Sequence, residues 1–254
     1  MTASRLRHLL SICFTFLLLA IIPLPADADW RVIPIRLDFD QKTRSGVVTL
    51  SNDGDEAIAF TVDAVEWSQD KAGIDRYTPS EDLVFFPKAI TVPPTQERVV
   101  RVGIKAPAIQ REKPYRLFIK EAPEQRKAEG TAVAIAIQFG VPIFAKPARE
   151  EIKGEILPAT AADKPEILVV TTNTGNVHYR ISKITLAGKD AGGNEILNQE
   201  INGWYLLAGA SRAYTAPLLP ELCRQLKTLD VQMVSDRLTL NKKIDVDPAM
   251  CAAP

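Results

Sequence analysis

The sequence predicts an all-β protein built from two sandwich domains. Three observations carry that expectation. Bulky apolar residues alternate with polar or small ones in short runs. Turn-forming residues separate the runs. The rhythm occurs twice, on either side of a charged, proline-containing joint at residues 145–150. A period of two belongs to a β-strand with one buried face. Short strands at even spacing, divided by turns, are the pattern of immunoglobulin-like sandwiches.

The chain has 254 residues, and its start reads as an export signal. Arg5, Arg7 and His8 form a basic head, residues 9–22 are apolar and uncharged, and Ala26-Asp27-Ala28 offers a small-residue cleavage site. The apolar run is about 14 residues, short of the roughly 20 that span a bilayer. Residues 1–28 are therefore expected to be removed, with no membrane insertion afterwards. The remainder is long enough for two domains of about 100 residues each, placed at 29–147 and 148–254.

In the first domain, strands are expected at residues 32–39, 46–51, 57–67, 83–86, 97–104, 115–121 and 132–144. Asn52-Asp53-Gly54 and residues 70–73 supply turns, while Pro93-Pro94 and Pro107 belong in loops or at edges. In the second, strands are expected at 152–157, 166–172, 178–186, 195–199, 204–207, 210–215, 228–234 and 237–246. Residues 173–176 and Gly192-Gly193-Asn194 divide them, and residues 218–226 suit a short helix.

Basic and acidic residues balance at 31 each, and no basic tract is interleaved with aromatics. Nucleic acid is therefore not an expected partner. Cys13 leaves with the signal, and Cys223 and Cys251 remain. In an oxidising compartment such a pair usually forms a disulfide, two free thiols being the alternative. Closing about 28 residues is worth about 3 kcal/mol by the loop-entropy argument.

Catalytic signatures are missing. The chain has two histidines, and His8 leaves with the signal. His178, beside Tyr179 in an expected strand, reads as a surface or internally satisfied residue. The chain carries no Gly-x-Ser-x-Gly elbow, phosphate-cradling glycine loop or Cys-x-x-Cys pair. A metal site built on several histidines is excluded by number. The expectation is a protein with no catalytic residues, metal or cofactor, and not an enzyme.

The strand at 131–144 is the most informative stretch. Val133, Ile135, Ile137, Phe139, Val141 and Ile143 fall on one face, and Ala132, Ala134, Ala136, Gln138 and Gly140 on the other. Such a strand is either ordinary sandwich core or an edge that lends its side chains to another chain. The first reading fits a secreted adhesion or scaffold module, the second a protein that completes a partner's fold. Fold alone does not separate them.

A series of motifs in the first domain, in order, resembles the periplasmic pilus-assembly chaperones. Ile33-Pro34-Ile35-Arg36-Leu37 resembles their first strand, and Val47 through Asn52 their second strand and turn. Trp67, Phe86-Pro87, Pro93-Pro94 and Gln96 through Arg101 follow in family order. Next come Glu112, Tyr115-Arg116-Leu117 through Glu121-Ala122-Pro123, the alternating strand, and Lys146-Pro147. The second domain is matched by its position and by Val234-Ser235-Asp236.

The resemblance implies two immunoglobulin-like domains in a boomerang arrangement, working in the periplasm. It implies binding and capping of fimbrial or pilus subunits by donor-strand complementation, and delivery to an outer-membrane usher. The donated side chains would be Val133, Ile135 and Ile137, with Phe139 as a fourth. Arg36 would grip the subunit's C-terminal carboxylate. The family's second basic anchor, often lysine, falls at Pro142. Glu112, Lys146 and Asp236 match a charge network between the domains; taken without the resemblance they are three surface charges.

Overall fold

The computed structural model describes residues 30–105, 107–108, 110–122, 136–157, 160–161 and 166–246. The fold is all-β: two immunoglobulin-like sandwiches, each with its own core.

The first sandwich contains β1 (Trp30–Ile33), β2 (Leu37–Phe39), β3 (Ser45–Asn52), β4 (Ile58–Gln69), β5 (Asp75–Pro79), β6 (Leu83–Phe86), β7 (Ala89–Val92), β8 (Glu97–Ile104), β9 (Lys113–Glu121) and β10 (Gln138–Ala145). One sheet has the order β1-β3-β8-β6, the other β2-β10-β9-β4-β5, with β7 also on β4. Alternate residues of the two sheets meet inside. Val48, Leu50, Val100 and Val102 face Phe60, Val62, Leu117, Ile119 and Val141, all nearly inaccessible to solvent. This is the usual sandwich arrangement, with about 10 Å between sheets filled by side chains.

The second sandwich contains β11 (Gly154–Ile156), β12 (Thr160–Ala161), β13 (Glu166–Asn173), β14 (Tyr179–Lys189), β15 (Glu195–Asn202), β16 (Tyr205–Leu206), β17 (Ser211–Pro217), the helix α1 (Pro220–Gln225), β18 (Thr228–Ser235) and β19 (Thr239–Asp245). Val169, Tyr214 and Ala216 from one sheet pack on Ile184, Leu186, Val231 and Met233 from the other. Pro220 opens α1, where its missing N–H would be unpaired in any case. Cys223 on this helix is buried and disulfide-bonded.

Three differences from the expected strands have plain causes. The single strand expected at 32–39 is two strands in opposite sheets, β1 antiparallel to β3 and β2 parallel to β10. Pro34 lacks the N–H a continuous ladder needs, so the chain changes sheets there. β5 is an edge strand with four of its five residues exposed, so it carries no alternation to read. β7 is four residues held between Pro87 and Pro93, too short for a period to show.

Candidate functional site

β10 is covered unequally on its two edges. Along one edge it pairs with β9 for its whole length, from Gln138 opposite Lys120 to Ala145 opposite Lys113. Along the other, β2 covers only Ile143, Phe144 and Ala145. Among the described residues, no strand covers residues 138–142 on that side.

The apolar face of β10 passes out of its own core along its length. Ile143 and Val141 are fully buried, Phe139 is half-buried against the same core, and Ile137 is 50% exposed. Val133 and Ile135, expected to continue this face, lie outside the described residues.

The opposite face of the sheet holds a cluster that joins the two sandwiches. Pro142 lies opposite Arg116, and Arg116 opposite Val65, two residues from Trp67. Arg116 is 8% exposed. Its Nη1 donates to the Gly140 carbonyl at 3.0 Å, and its Cζ lies 3.9 Å from the centre of the Trp67 ring. Tyr205, from the second sandwich, brings its ring centre to 5.6 Å of the same Cζ. Trp67, Phe144 and Leu207 form a third apolar cluster, with Tyr205 and Ala210 against it. Towards β5 the same face of this sheet opens into a shallow cavity of about 650 Å³ beside Val65, Tyr77, Phe118 and Gln138.

His178 is buried against this cluster. Its ring stacks on Phe144 at 3.5 Å between centres. Its Nδ1 lies 2.7 Å from Glu112 Oε1, which also accepts the His178 backbone N–H at 3.0 Å. The histidine is satisfied within the protein. Its partner comes from the other sandwich, which the isolated neighbour Tyr179 gave no hint of.

Arg36 also approaches Phe144, with Cζ 5.4 Å from the ring centre. One fork of its guanidinium is occupied: Nε and Nη2 donate to the two oxygens of Asp38 at 2.8 and 2.9 Å. From Asp38 a chain of charges continues. Lys146 Nζ is 3.6 Å from Asp38 and 3.6 Å from Glu150, and Arg237 Nη2 donates to Glu150 at 2.6 Å. Asp236 is engaged separately, accepting the Arg180 backbone N–H at 2.8 Å. Glu112, Lys146 and Asp236 thus each have different partners, and all but the Lys146–Glu150 contact tie together segments far apart in sequence.

Further bonds cross between the sandwiches. Gln69 donates to the Tyr205 carbonyl at 2.9 Å and accepts the Leu207 N–H at 3.0 Å. Trp204 Nε1 donates to Asp75 at 2.9 Å. Arg212 donates to the Gly73 carbonyl at 2.7 Å. Gly73 has φ +78°, and a Cβ there would sit 2.7 Å from the Arg212 side chain, so both conformation and space call for glycine.

Sequence reasoning named Arg36 and the alternating strand but gave Arg116 and Tyr205 no role of their own. A signal for Arg116 was present. Tyr115, Leu117 and Ile119 alternate as core residues, which places Arg116 on the other face of the sheet. Its proximity to Pro142 depends on register, which no local pattern reveals.

Residues 31–150 match the family described as pili and flagellar-assembly chaperone, PapD N-terminal domain. No curated protein matches the chain by sequence. Among solved structures, it is similar to a chain of the chaperone–tip adhesion subunit pre-assembly complex from archaic chaperone-usher Csu pili of Acinetobacter baumannii. There the identity is 14%, coverage 85% of this chain and 98% of that one, and the TM-score 0.60. The class 5 fimbriae chaperone CfaA gives 13% identity, 85% and 98% coverage, and 0.55. A chain of the Salmonella enterica SafA pilin–SafB chaperone complex gives 11%, 86% and 98%, and 0.54. Residues 31–150 thus form the N-terminal domain of the pili and flagellar-assembly chaperone family, and the two-sandwich fold is shared along nearly the whole length of these structures at low sequence identity.

Proposed function

We propose that this protein is a periplasmic chaperone that caps fimbrial subunits by donor-strand complementation and hands them to an outer-membrane usher. One observation carries the reading: the apolar face of β10 is buried at Val141 and Ile143 and emerges half-exposed at Ile137. In sequence, Ile135 and Val133 precede it at the same period of two. An incomplete sandwich offers a groove of the matching period, and the uncovered edge at 138–142 offers main-chain bonds. Each aliphatic buried in such a groove is worth about 1.5–3 kcal/mol before ordering costs.

Arg36 serves as an anchor for the subunit's terminal carboxylate and so sets register, since a slip of one residue would turn every bulky group away. Glu112 through His178, Lys146 through the Asp38–Glu150–Arg237 chain, and Asp236 through its attraction to Arg36 hold the two sandwiches, 29–147 and 148–254, at a fixed angle. Cys223 pairs with Cys251, which lies outside the described residues, and the bond pins the C-terminal segment. Mass spectrometry of a non-reduced digest should give one crosslinked peptide pair; alkylation of Cys251 in exported protein would exclude it.

Co-expression with a fimbrial subunit tests the central reading. The mature protein should purify one-to-one with the subunit and keep it soluble. Equal recovery of monomeric subunit in its absence would refute capping.

A further inference from the structure

We propose that Arg116 guards the open edge of β10: its side chain caps the Gly140 carbonyl that an added strand must use, and so admits only a strand able to displace it. The inference rests on the capping role proposed above and adds a control to it.

Strand parity shows which main-chain groups face the open side. The Glu121 N–H donates to the Ile137 carbonyl at 3.0 Å, one step beyond the Gln138–Lys120 pair. In an antiparallel ladder such mutually bonded positions alternate with positions whose N–H and C=O point away. Ile137, Phe139, Val141 and Ile143 therefore bond towards β9, while Gln138, Gly140 and Pro142 face the other side. Two observations agree. Lys146, of the same parity, donates its N–H to Phe39 of β2 at 2.7 Å. Proline is tolerated at 142 because the N–H it lacks is one the ladder with β9 does not need. Since β2 covers only Ile143 to Ala145, Gly140 stands in the middle of the open stretch.

Arg116 reaches the Gly140 carbonyl by crossing the face of the sheet. It lies opposite Pro142 and diagonal to Gly140. Gly140 has no side chain to obstruct the path; a Cβ there would crowd the Phe118 ring at 3.0 Å and touch Arg116 Cδ at 3.8 Å. Nη1 then donates to the carbonyl at 3.0 Å, taking the acceptor to which a partner strand would bring its own N–H.

The contact is one that can be displaced. Among the described residues no carboxylate pairs with Arg116, and its Nε has no hydrogen-bond partner. One bond to a neutral carbonyl and two aromatic faces hold it: Trp67, whose ring centre is 3.9 Å from Cζ, and Tyr205 of the second sandwich at 5.6 Å. A carboxylate such as Asp38, which holds Arg36, would lock the side chain; a carbonyl and ring faces let it leave at modest cost. Charged side chains at an exposed sheet edge oppose pairing with stray strands. A strand that pairs along several residues recovers the lost bond several times over, and a chance contact at Gly140 does not. Because Tyr205 belongs to the second sandwich, the guard is braced across the joint.

The test uses the full mature protein and, as a neutral strand, an acetylated and amidated peptide of alternating valine and threonine. In calorimetric titration Arg116→Met should bind this peptide on the order of tenfold more tightly than the unaltered protein. Arg116→Lys, which keeps the charge but loses the planar fork, should fall between. Loss of a merely structural residue would weaken binding, so the direction of the change separates the two roles. If Arg116→Met fails to fold, the unaltered protein with 15N-labelled arginine decides: the peptide should shift the Arg116 Nε–H signal as the side chain leaves Gly140. Equal or weaker binding by folded Arg116→Met, binding with the Arg116 signal unmoved, or binding to neither protein would overturn the assignment. Equal peptide binding by both proteins, with a subunit still captured, would remove the guard and leave the capping reading intact. Tighter peptide binding by Arg116→Met in a protein that captures no subunit would do the reverse.

Discussion

One buried amide closes the same turn in each sandwich. Asn52 Nδ2 donates to the carbonyls of Glu56 and Val92 at 2.7 and 3.0 Å, and its Oδ1 accepts the Gly54 N–H at 2.9 Å. Asn173 repeats the device, with Val177 and Leu206 at 2.9 and 3.0 Å and Gly175 at 2.9 Å. Each ties a local Asx turn to a strand far along the chain. Leaving a buried group unpaired costs about 1–3 kcal/mol, so Asn52→Ala should lose about 2–4 kcal/mol. The sign should be a lower urea midpoint with unchanged slope. Asn52→Asp keeps the acceptor, loses both donated bonds, and should also destabilise; an unmoved midpoint in both variants would mean the carbonyls find other donors. Asn-Asp-Gly was legible as a turn because turn chemistry is local. The acceptors at Val92 and Leu206 were not, because they arrive by tertiary folding. Arg116 was hidden for the same reason: its surroundings are set by Trp67, Pro142 and Tyr205, none adjacent to it in sequence.

At the scale of the element, β10 makes its two uses separable. Ile143 and Ile137 share one face of one alternating run, yet the first is fully buried and the second half-exposed. Ile143→Asp puts a charge into a packed core and should cost about 3–5 kcal/mol, seen as loss of the cooperative melt. Ile137→Asp should change stability by no more than about 0.5 kcal/mol and abolish subunit capture. A folded Ile137→Asp protein that still captures subunit would take that side chain out of the donor set. Period two in the sequence placed both residues on one face of the expected strand, and Ile137 stands just before the first residue of β10. The period could not say where the protein's own core ends, because that depends on the extent of the facing sheet. The split of residues 32–39 has a similar origin. Its apolar spacing was readable, but the partners of β1 and β2 lie in different sheets.

The whole molecule depends on a joint between two sandwiches that each fold around a separate core. The joint has an apolar part, Trp67, Phe144 and Leu207, and a charged part that runs from Arg36 through Asp38, Lys146 and Glu150 to Arg237. Glu150 is the link whose protonation can be tuned. The Arg237 hydrogen bond, with Lys146 adding to it, holds its carboxyl below the usual range. A group with a depressed folded-state pKa contributes stability above its unfolded value and loses it as pH falls through the folded one. The charged part should therefore be intact at neutral pH and fail only in acid, below about pH 4. Small-angle scattering of the free protein should give one narrow interdomain arrangement at pH 7 and a broader one in that acid window, before either core unfolds. Glu150→Gln should broaden the distribution already at pH 7 and flatten its pH dependence. Because the link is partly exposed, raised salt should act in the same direction. If scattering is unchanged by Glu150→Gln and by acid up to unfolding, the aromatic cluster and the Glu112–His178 contact set the angle by themselves, and the charge chain is incidental to how the cleft is held open for a subunit.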